Sequence, residues 1–460
     1  MSSKLLQFPF WPATSPVPVM KSSTGSGPLF LTPFIEENNS DEARTISRVK
    51  LFKDEANVTA HSGFITVNRT LGSHLFFLYI RAQEHTSTTA LMLWTQGGPG
   101  LSSLFGQFLE IGPLAINGDG NLYKRLQTIQ KHVSVIYLDV PVGAGYSFTK
   151  DPSGYAHSLE DISVAVAEFL GQFLILFPEY KERDFYVAGE SYGGRYAVGI
   201  AYHLLTNKVK PVPLKLQGTI AGVGFLGPIF DIADSSEFLY RASMLTEEGR
   251  DTFAKQFQAM RSLFASRKVK EALYLLLQTI FTDNTNPTLF QNLTLYNNQA
   301  SALYSEKPAN MIQYSHYVNT TDFREAIHVG LDAEFEPYSE IFMASLAPDI
   351  VTDISGQIEL LLNTSQVLFY TGQVDALFPS TNLRAFFRTL HWTGASQYRN
   401  SPRRVWNLQD GSNSISGYIV RVHNFTEAII LKAGHYAAVD KPDEAYYLMS
   451  NFIDSKSTLA

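Results

Sequence analysis

The hydrophobic positions of this 460-residue chain change their period along its length, and the changes divide it. Up to about residue 45 no period is visible: prolines at 9, 12, 16, 18, 28 and 33 interrupt every apolar run, so residues 1–45 read as an extended N-terminal arm rather than core. From Gly63 the pattern is strand-like. Gly63–Val67 and His74–Ala82, separated by a polar loop containing glycine, read as two antiparallel strands. Short continuous apolar runs follow, Ala90–Trp94 and Val133–Leu138, each entering a loop of unusual residues, Gln96–Gly100 and Asp139–Tyr146. Unbroken runs of this kind mark strands buried on both faces.

Ser158–Asp161 can box the start of a helix whose apolar positions Ile162, Val166, Phe169 and Phe173 recur at helical spacing, and Pro178 ends it. That helix leads into the strand-like run Phe185–Ala188. Strand, helix, strand is the unit of a parallel sheet, and ligands on such sheets collect at the strands' carboxyl ends. Gly218–Val223 adds a strand. The period then lengthens: Phe253, Phe257, Met260 and Phe264 recur at helical spacing, Val269–Phe281 is a second helical stretch, and Asp283–Pro287 reads as a loop. Sheet-type runs return at Gln366–Thr371 and Glu427–Lys432. The chain therefore divides into the arm, a first core segment at 46–229, a largely helical insertion at 230–355 and a second core segment at 356–460. The fold class is α/β, a mostly parallel central sheet flanked by helices, with the insertion as a lid.

The stretch from Asp184 to Tyr196 organises the rest. A β-rich run enters the tight turn Gly189-Glu-Ser-Tyr-Gly193 and a helix-compatible run leaves it, which is the pattern of a nucleophile elbow. The glycines are needed because the backbones on either side of the corner approach too closely for Cβ atoms. A serine hydroxyl attacks well only when an imidazole takes its proton and a carboxylate steadies that imidazole. Both partners follow at strand ends in the order this topology imposes: Asp375 after the Tyr370 run and His435 after the Leu431 run. Oxyanion donors are expected from the N–H of Tyr192 and from the glycine-rich loop Gln96–Gly100.

Composition narrows the class. Hydrophobic residues make up 45% and the formal net charge is -7, with no Lys/Arg stripe, which argues against nucleic acid. No uncharged apolar run of about 18 residues occurs, so no membrane span is expected. The chain has no cysteine, which by itself points away from an oxidising compartment. Seven Asn-x-Ser/Thr sequons, at Asn38, Asn57, Asn68, Asn292, Asn319, Asn363 and Asn424, among 21 asparagines point the other way, because chance predicts roughly three. A secretory route, lysosomal, vacuolar or extracellular, is favoured, although the run after Lys4 is too short and proline-broken for a good signal segment. Nothing calls for a metal or cofactor.

Gly97–Ser103, Glu110–Pro113, Asp139–Ser147, Gly189–Tyr196, Gly372–Asp375 and Gly434–His435 with Asp440–Pro442 together resemble the serine carboxypeptidases of the α/β-hydrolase fold. Gly27–Phe34, Phe177–Tyr180 and Ala326–Gly330 are most similar to the vitellogenic-carboxypeptidase-like branch. The resemblance spans about residue 28 to the C-terminus. It implies Ser191, Asp375 and His435 as a catalytic triad, and the N–H groups of Gly98 and Tyr192 as oxyanion hole. It also implies Gln96, Gly97, Glu110 and Glu190 as binders of a peptide's terminal carboxylate, and a homodimer. Two glutamates beside a carboxylate cannot all ionise cheaply, so one keeps a proton and the expected optimum is acidic. The expected reaction is release of C-terminal residues from peptides or proteins through an acyl-enzyme; acyl transfer from an activated ester and a catalytically idle binding protein are the alternatives. Leu101 stands where the family's cysteine is usual, Gln96 replaces asparagine, Gly193 replaces alanine, and Tyr436-Ala-Ala438 replaces Met-Val-Pro. Without the family's disulfides the insertion is expected to be held by packing alone.

Overall fold

The computed structural model describes residues 27–281, 286–336, 339–408 and 414–454. The run after Lys4, read as too proline-broken for a signal segment, and most of the expected 283–287 loop lie outside them. The described residues form thirteen strands: β1 Ala60–Asn68, β2 Ser73–Ile80, β3 Ala90–Thr95, β4 Leu114–Ile116, β5 Leu122–Lys124, β6 Val133–Leu138, β7 Phe148–Thr149, β8 Asp184–Glu190, β9 Lys215–Gly222, β10 Gln366–Gly372, β11 Arg404–Trp406, β12 Gly417–Val422 and β13 Phe425–Ile430. β4 and β5 pair only with each other. The main sheet runs β1-β2-β6-β3-β8-β9-β10-β13-β12-β11, with β7 beside β2. From β6 through β13 all neighbours are parallel, and the antiparallel pairs lie at the two edges.

Both faces of the sheet are covered, and β2 shows why its sequence does not alternate in polarity. Leu75, Phe77 and Tyr79 pack into one hydrophobic cluster, and Phe76, Leu78 and Ile80 into the other. The helix Leu159–Leu176 covers the first face; Ser158 Oγ accepts the Asp161 N–H at 3.1 Å to cap it, and Ile162, Val166, Phe169 and Phe173 are all buried. Between β9 and β10 the described residues carry helices and no strand, among them Glu247–Ala265, Val269–Ile280, Ala309–Val318, Glu340–Ile350 and Ser355–Thr364. No helix among the described residues is long and apolar enough to cross a membrane.

Two expectations need correction. The described part of the arm is neither extended nor outside the core: Thr32–Glu36 and Ser40–Ile46 are helices, with Leu31, Thr32, Ile35 and Ala43 buried. Pro33 opens the first of these, at a position whose N–H has no intrahelical partner in any case. The insertion, moreover, is held by more than packing. Tyr146 Oη donates to the Val318 carbonyl at 2.6 Å, Ser62 Oγ to that of Ile327 at 2.7 Å, and the Ser102 N–H to Glu336 Oε1 at 2.8 Å. These ties serve backbone groups that would otherwise be buried without a partner.

Candidate active site

β8 ends at Glu190, a helix begins at Tyr192, and Ser191 forms the corner between them with φ 56° and ψ -121°. A non-glycine residue held at positive φ stores roughly 1–3 kcal/mol of strain, so the surroundings must enforce it. Here the Ser191 N–H donates to the Gly222 carbonyl at 2.9 Å, and the Ser191 carbonyl accepts from Gly194 and Phe225 at 3.0 and 2.9 Å. A Cβ at Gly189 would lie 2.2 Å from the Gly193 carbonyl oxygen, which is why this position is bare.

His435 lies at the carboxyl end of β13 and Asp375 at that of β10. His435 Nε2 is 2.9 Å from Ser191 Oγ, and its Nδ1 is 2.9 Å from Asp375 Oδ2. An ionised carboxylate only accepts, so Asp375 fixes the ring proton on Nδ1 and leaves the Nε2 lone pair facing the serine hydroxyl. Asp375 is itself oriented by the N–H groups of Leu377 and Phe378, at 2.8 and 2.9 Å to Oδ1, and the Phe378 ring stands edge-on to the imidazole at 5.1 Å. The His435 N–H donates to the Ala300 carbonyl at 2.7 Å, so the insertion touches the loop that carries the imidazole. His423, the histidine nearest to His435 in sequence, sits outside the strands at the turn between β12 and β13.

The glycine-rich loop follows β3 and lies against the elbow: a Cβ on Gly97 would approach Ser191 Cβ to 2.8 Å and the Tyr192 nitrogen to 3.0 Å. Gly98 takes φ 116°, a conformation open to glycine alone in practice. The buried carboxylate of Asp139 anchors the loop's far end, accepting from Ser102 Oγ at 2.7 Å and from the N–H groups of Ser103 and Tyr146 at 2.8 Å each. Ser103 Oγ in turn accepts the Gln96 N–H at 3.1 Å. Burial pushes the Asp139 carboxyl up to about 7, against the pull of those donors.

Gln96, Glu110 and Glu190 form a buried cluster beside the serine. The Gln96 side-chain amide donates to Glu190 Oε2 at 3.2 Å and Glu110 Oε1 at 3.4 Å, and its oxygen accepts the Trp94 indole N–H at 3.0 Å. Burial raises both carboxyls, and the charge of Glu110 beside Glu190 adds to the rise there. Glu110 and Glu190 also face each other, so that a proton kept by one is shared with the other, while the Tyr370 hydroxyl is buried without a hydrogen-bond partner among the described residues. Together with the Gln96 amide these groups place hydrogen-bond donors and acceptors side by side in one buried cluster.

The structure thus brings together the sequence-nominated Ser191, Asp375 and His435, the Gly97–Gly98 loop, and the Gln96, Glu110 and Glu190 cluster. It adds residues the sequence did not single out. Trp94 and Tyr370 sit on strands and read there as apolar core. Glu336 and Asp349 lie in the insertion, where charged side chains look like solvated surface; the burial of Asp349 opposite Arg195 has no local sequence signal.

Residues 51–455 match the family model described as serine carboxypeptidase. The chain is 34% identical over 432 residues to the probable serine carboxypeptidase CPVL of Homo sapiens, covering 93% of this chain and 90% of that one. It is 33% identical over 449 residues to the venom serine carboxypeptidase of Apis mellifera, covering 97% and 95%, and 30% identical over 428 residues to the vitellogenic carboxypeptidase of Aedes aegypti, covering 92% and 89%. Among solved structures, the prohormone-processing carboxypeptidase Kex1 of Saccharomyces cerevisiae superposes with a TM-score of 0.74 over 90% of this chain and 96% of its own, at 18% identity, which establishes the α/β-hydrolase fold.

Proposed function

The chain belongs to the serine carboxypeptidase family, and from that premise we propose that it releases single residues from peptide C-termini through an acyl-enzyme on Ser191, with an acidic optimum. Ser191 Oγ attacks the carbonyl carbon of the last peptide bond while its proton passes to His435 Nε2. The carbonyl oxygen becomes negative against the N–H groups of Gly98 and Tyr192, an interaction whose loss costs about 2.7–4 kcal/mol per donor in comparable sites. The imidazolium then protonates the departing amine, the peptide bond breaks, and the acyl group stays on the serine. Water, deprotonated by the same imidazole, attacks the ester and restores Ser191.

The observation that carries the reading is the buried pair of carboxyls at Glu110 and Glu190, bridged by the Gln96 amide beside the nucleophile and both raised by burial. A protonated carboxyl donates a hydrogen bond to a substrate's terminal carboxylate, where an ionised one would repel it. With the Gln96 amide and the Gly97 N–H they form a site for a free C-terminus. A secretory location is supported by the exposure of Asn38, Asn57, Asn68, Asn292, Asn319 and Asn363; Asn424 is half-buried. Product masses from peptides ending in a free acid or an amide, with wild type and Ser191→Ala, test the proposal. Single-residue release confined to the free acids and lost in the variant is expected. Equal cleavage of amides, or hydrolysis surviving in the variant, rejects it.

A further inference from the structure

A cavity of about 590 Å³ opens between the Ser40–Ile46 and Lys50–Ala56 helices, the start of β1, the end of β2 and the Phe177–Glu179 turn. None of its lining residues belongs to the catalytic set. We propose that it binds a small phosphate or sulfate ester, the anionic group held by Arg44, Arg48, Lys50 and Arg81.

Charge is the first argument. Arg44, Arg48, Lys50, Lys53 and Arg81 line the cavity against one carboxylate, Glu179, so five positive charges meet one negative and four are left, in a chain whose formal net charge is -7. Glu179 is already engaged by Arg44, at 3.0 and 3.3 Å. No carboxylate pairs with Arg48, Lys50 or Arg81 among the described residues. An unneutralised cationic concavity concentrates anions, because field lines focus between low-dielectric walls.

Built hydrogen-bonding capacity is the second. Arg81 lines the cavity, and its guanidinium is not spent on a carboxylate: its Nε, shielded from solvent, donates to nothing among the described residues. A tetrahedral oxyanion supplies several acceptors to a guanidinium fork and to an ammonium at once. His61 reports the field from within: its Nδ1 lies 3.0 Å from Ser47 Oγ, and burial together with Arg44 and Arg48 pushes its pKa down to about 3. It therefore adds a neutral polar group and no charge.

Size sets the ligand class. The volume lies in the range of small-molecule sites and exceeds what a bare phosphate fills, and Val49 and Tyr79 give the wall apolar surface for the body that carries the anion. Cations confined to one cavity, rather than drawn into a stripe, suit a compact ester better than a polymer.

Calorimetric titration of the full chain with glucose 6-phosphate, glucose 6-sulfate, inorganic phosphate and glucose, at fixed ionic strength, is the test. The esters should bind and glucose should not; comparison of the two esters and free phosphate identifies the preferred headgroup. The double variant R48E/K50E, altered only at exposed side chains, should weaken ester binding at least about tenfold while peptidase activity is unchanged. Arg81→Gln, checked for an unchanged melting temperature, should weaken it as well. Ester binding no stronger than that of chloride, binding unaltered in R48E/K50E, or binding of a heparin-derived oligosaccharide in the absence of any ester binding would each overturn the proposal.

Discussion

The phenol of Tyr192 donates a 2.5 Å hydrogen bond to Asp349 Oδ2, across 157 positions of sequence. The same carboxylate accepts Arg195 Nε at 2.9 Å and the Leu159 N–H at 3.1 Å, so one buried acid ties the first turn of the nucleophile helix to the end of the insertion. Removing it strands a guanidinium that is about 1% exposed. Asp349→Ala should cost about 3–5 kcal/mol by chemical denaturation, because an unpaired buried charge is the expensive outcome. It should also lower kcat, since the Tyr192 N–H shares the residue being released. A loss below about 1 kcal/mol would refute the clamp.

Asp375→Asn separates geometry from charge in the triad. The amide keeps the shape but offers His435 Nδ1 a wrong partner or a wrong tautomer, and in comparable triads kcat falls by about 10⁴. Steady-state kinetics should show that fall with little change in KM.

The raised carboxyls of Glu110 and Glu190 fix the sign of a pH effect on binding. Below their folded values at least one is protonated and donates to the substrate carboxylate; as pH rises through those values the donor is lost and repulsion takes its place. KM for free-acid peptides should therefore climb with pH. Glu190→Gln, whose amide donates at every pH, should flatten that climb, and a profile as steep as wild type would count against the assignment.

Asp139 gives a stability effect in a defined window. Its folded value of about 7 lies above the ordinary 3.8, so between those two the native state holds a proton that the unfolded chain releases. The contribution is fully present below about pH 4 and is lost as pH rises to 7. Asp139→Asn should remove that slope from denaturation midpoints measured across the window, and should lower kcat through the disturbed Ser102–Ser103 end of the oxyanion loop.

The sheet and the triad were legible because each leaves a local signature: unbroken apolar runs for doubly buried strands, and a glycine-bracketed serine for the elbow. The Gln96, Glu110 and Glu190 cluster was legible only through resemblance, since three polar residues up to 94 positions apart carry no mutual pattern. Asp349 was illegible because its partner, Arg195, lies on another segment and nothing local marks it as buried. Pro33 misled for the opposite reason: a proline count does not tell a helix start from a break.

The bond from the His435 N–H to the Ala300 carbonyl joins the loop that carries the imidazole to the inserted segment. That amide proton is consequently a gauge of the contact: its protection from exchange with deuterium, read by mass spectrometry on the peptide containing residue 435, should report how often this bond breaks. A substrate that seats the segment more firmly will slow that exchange before any product appears.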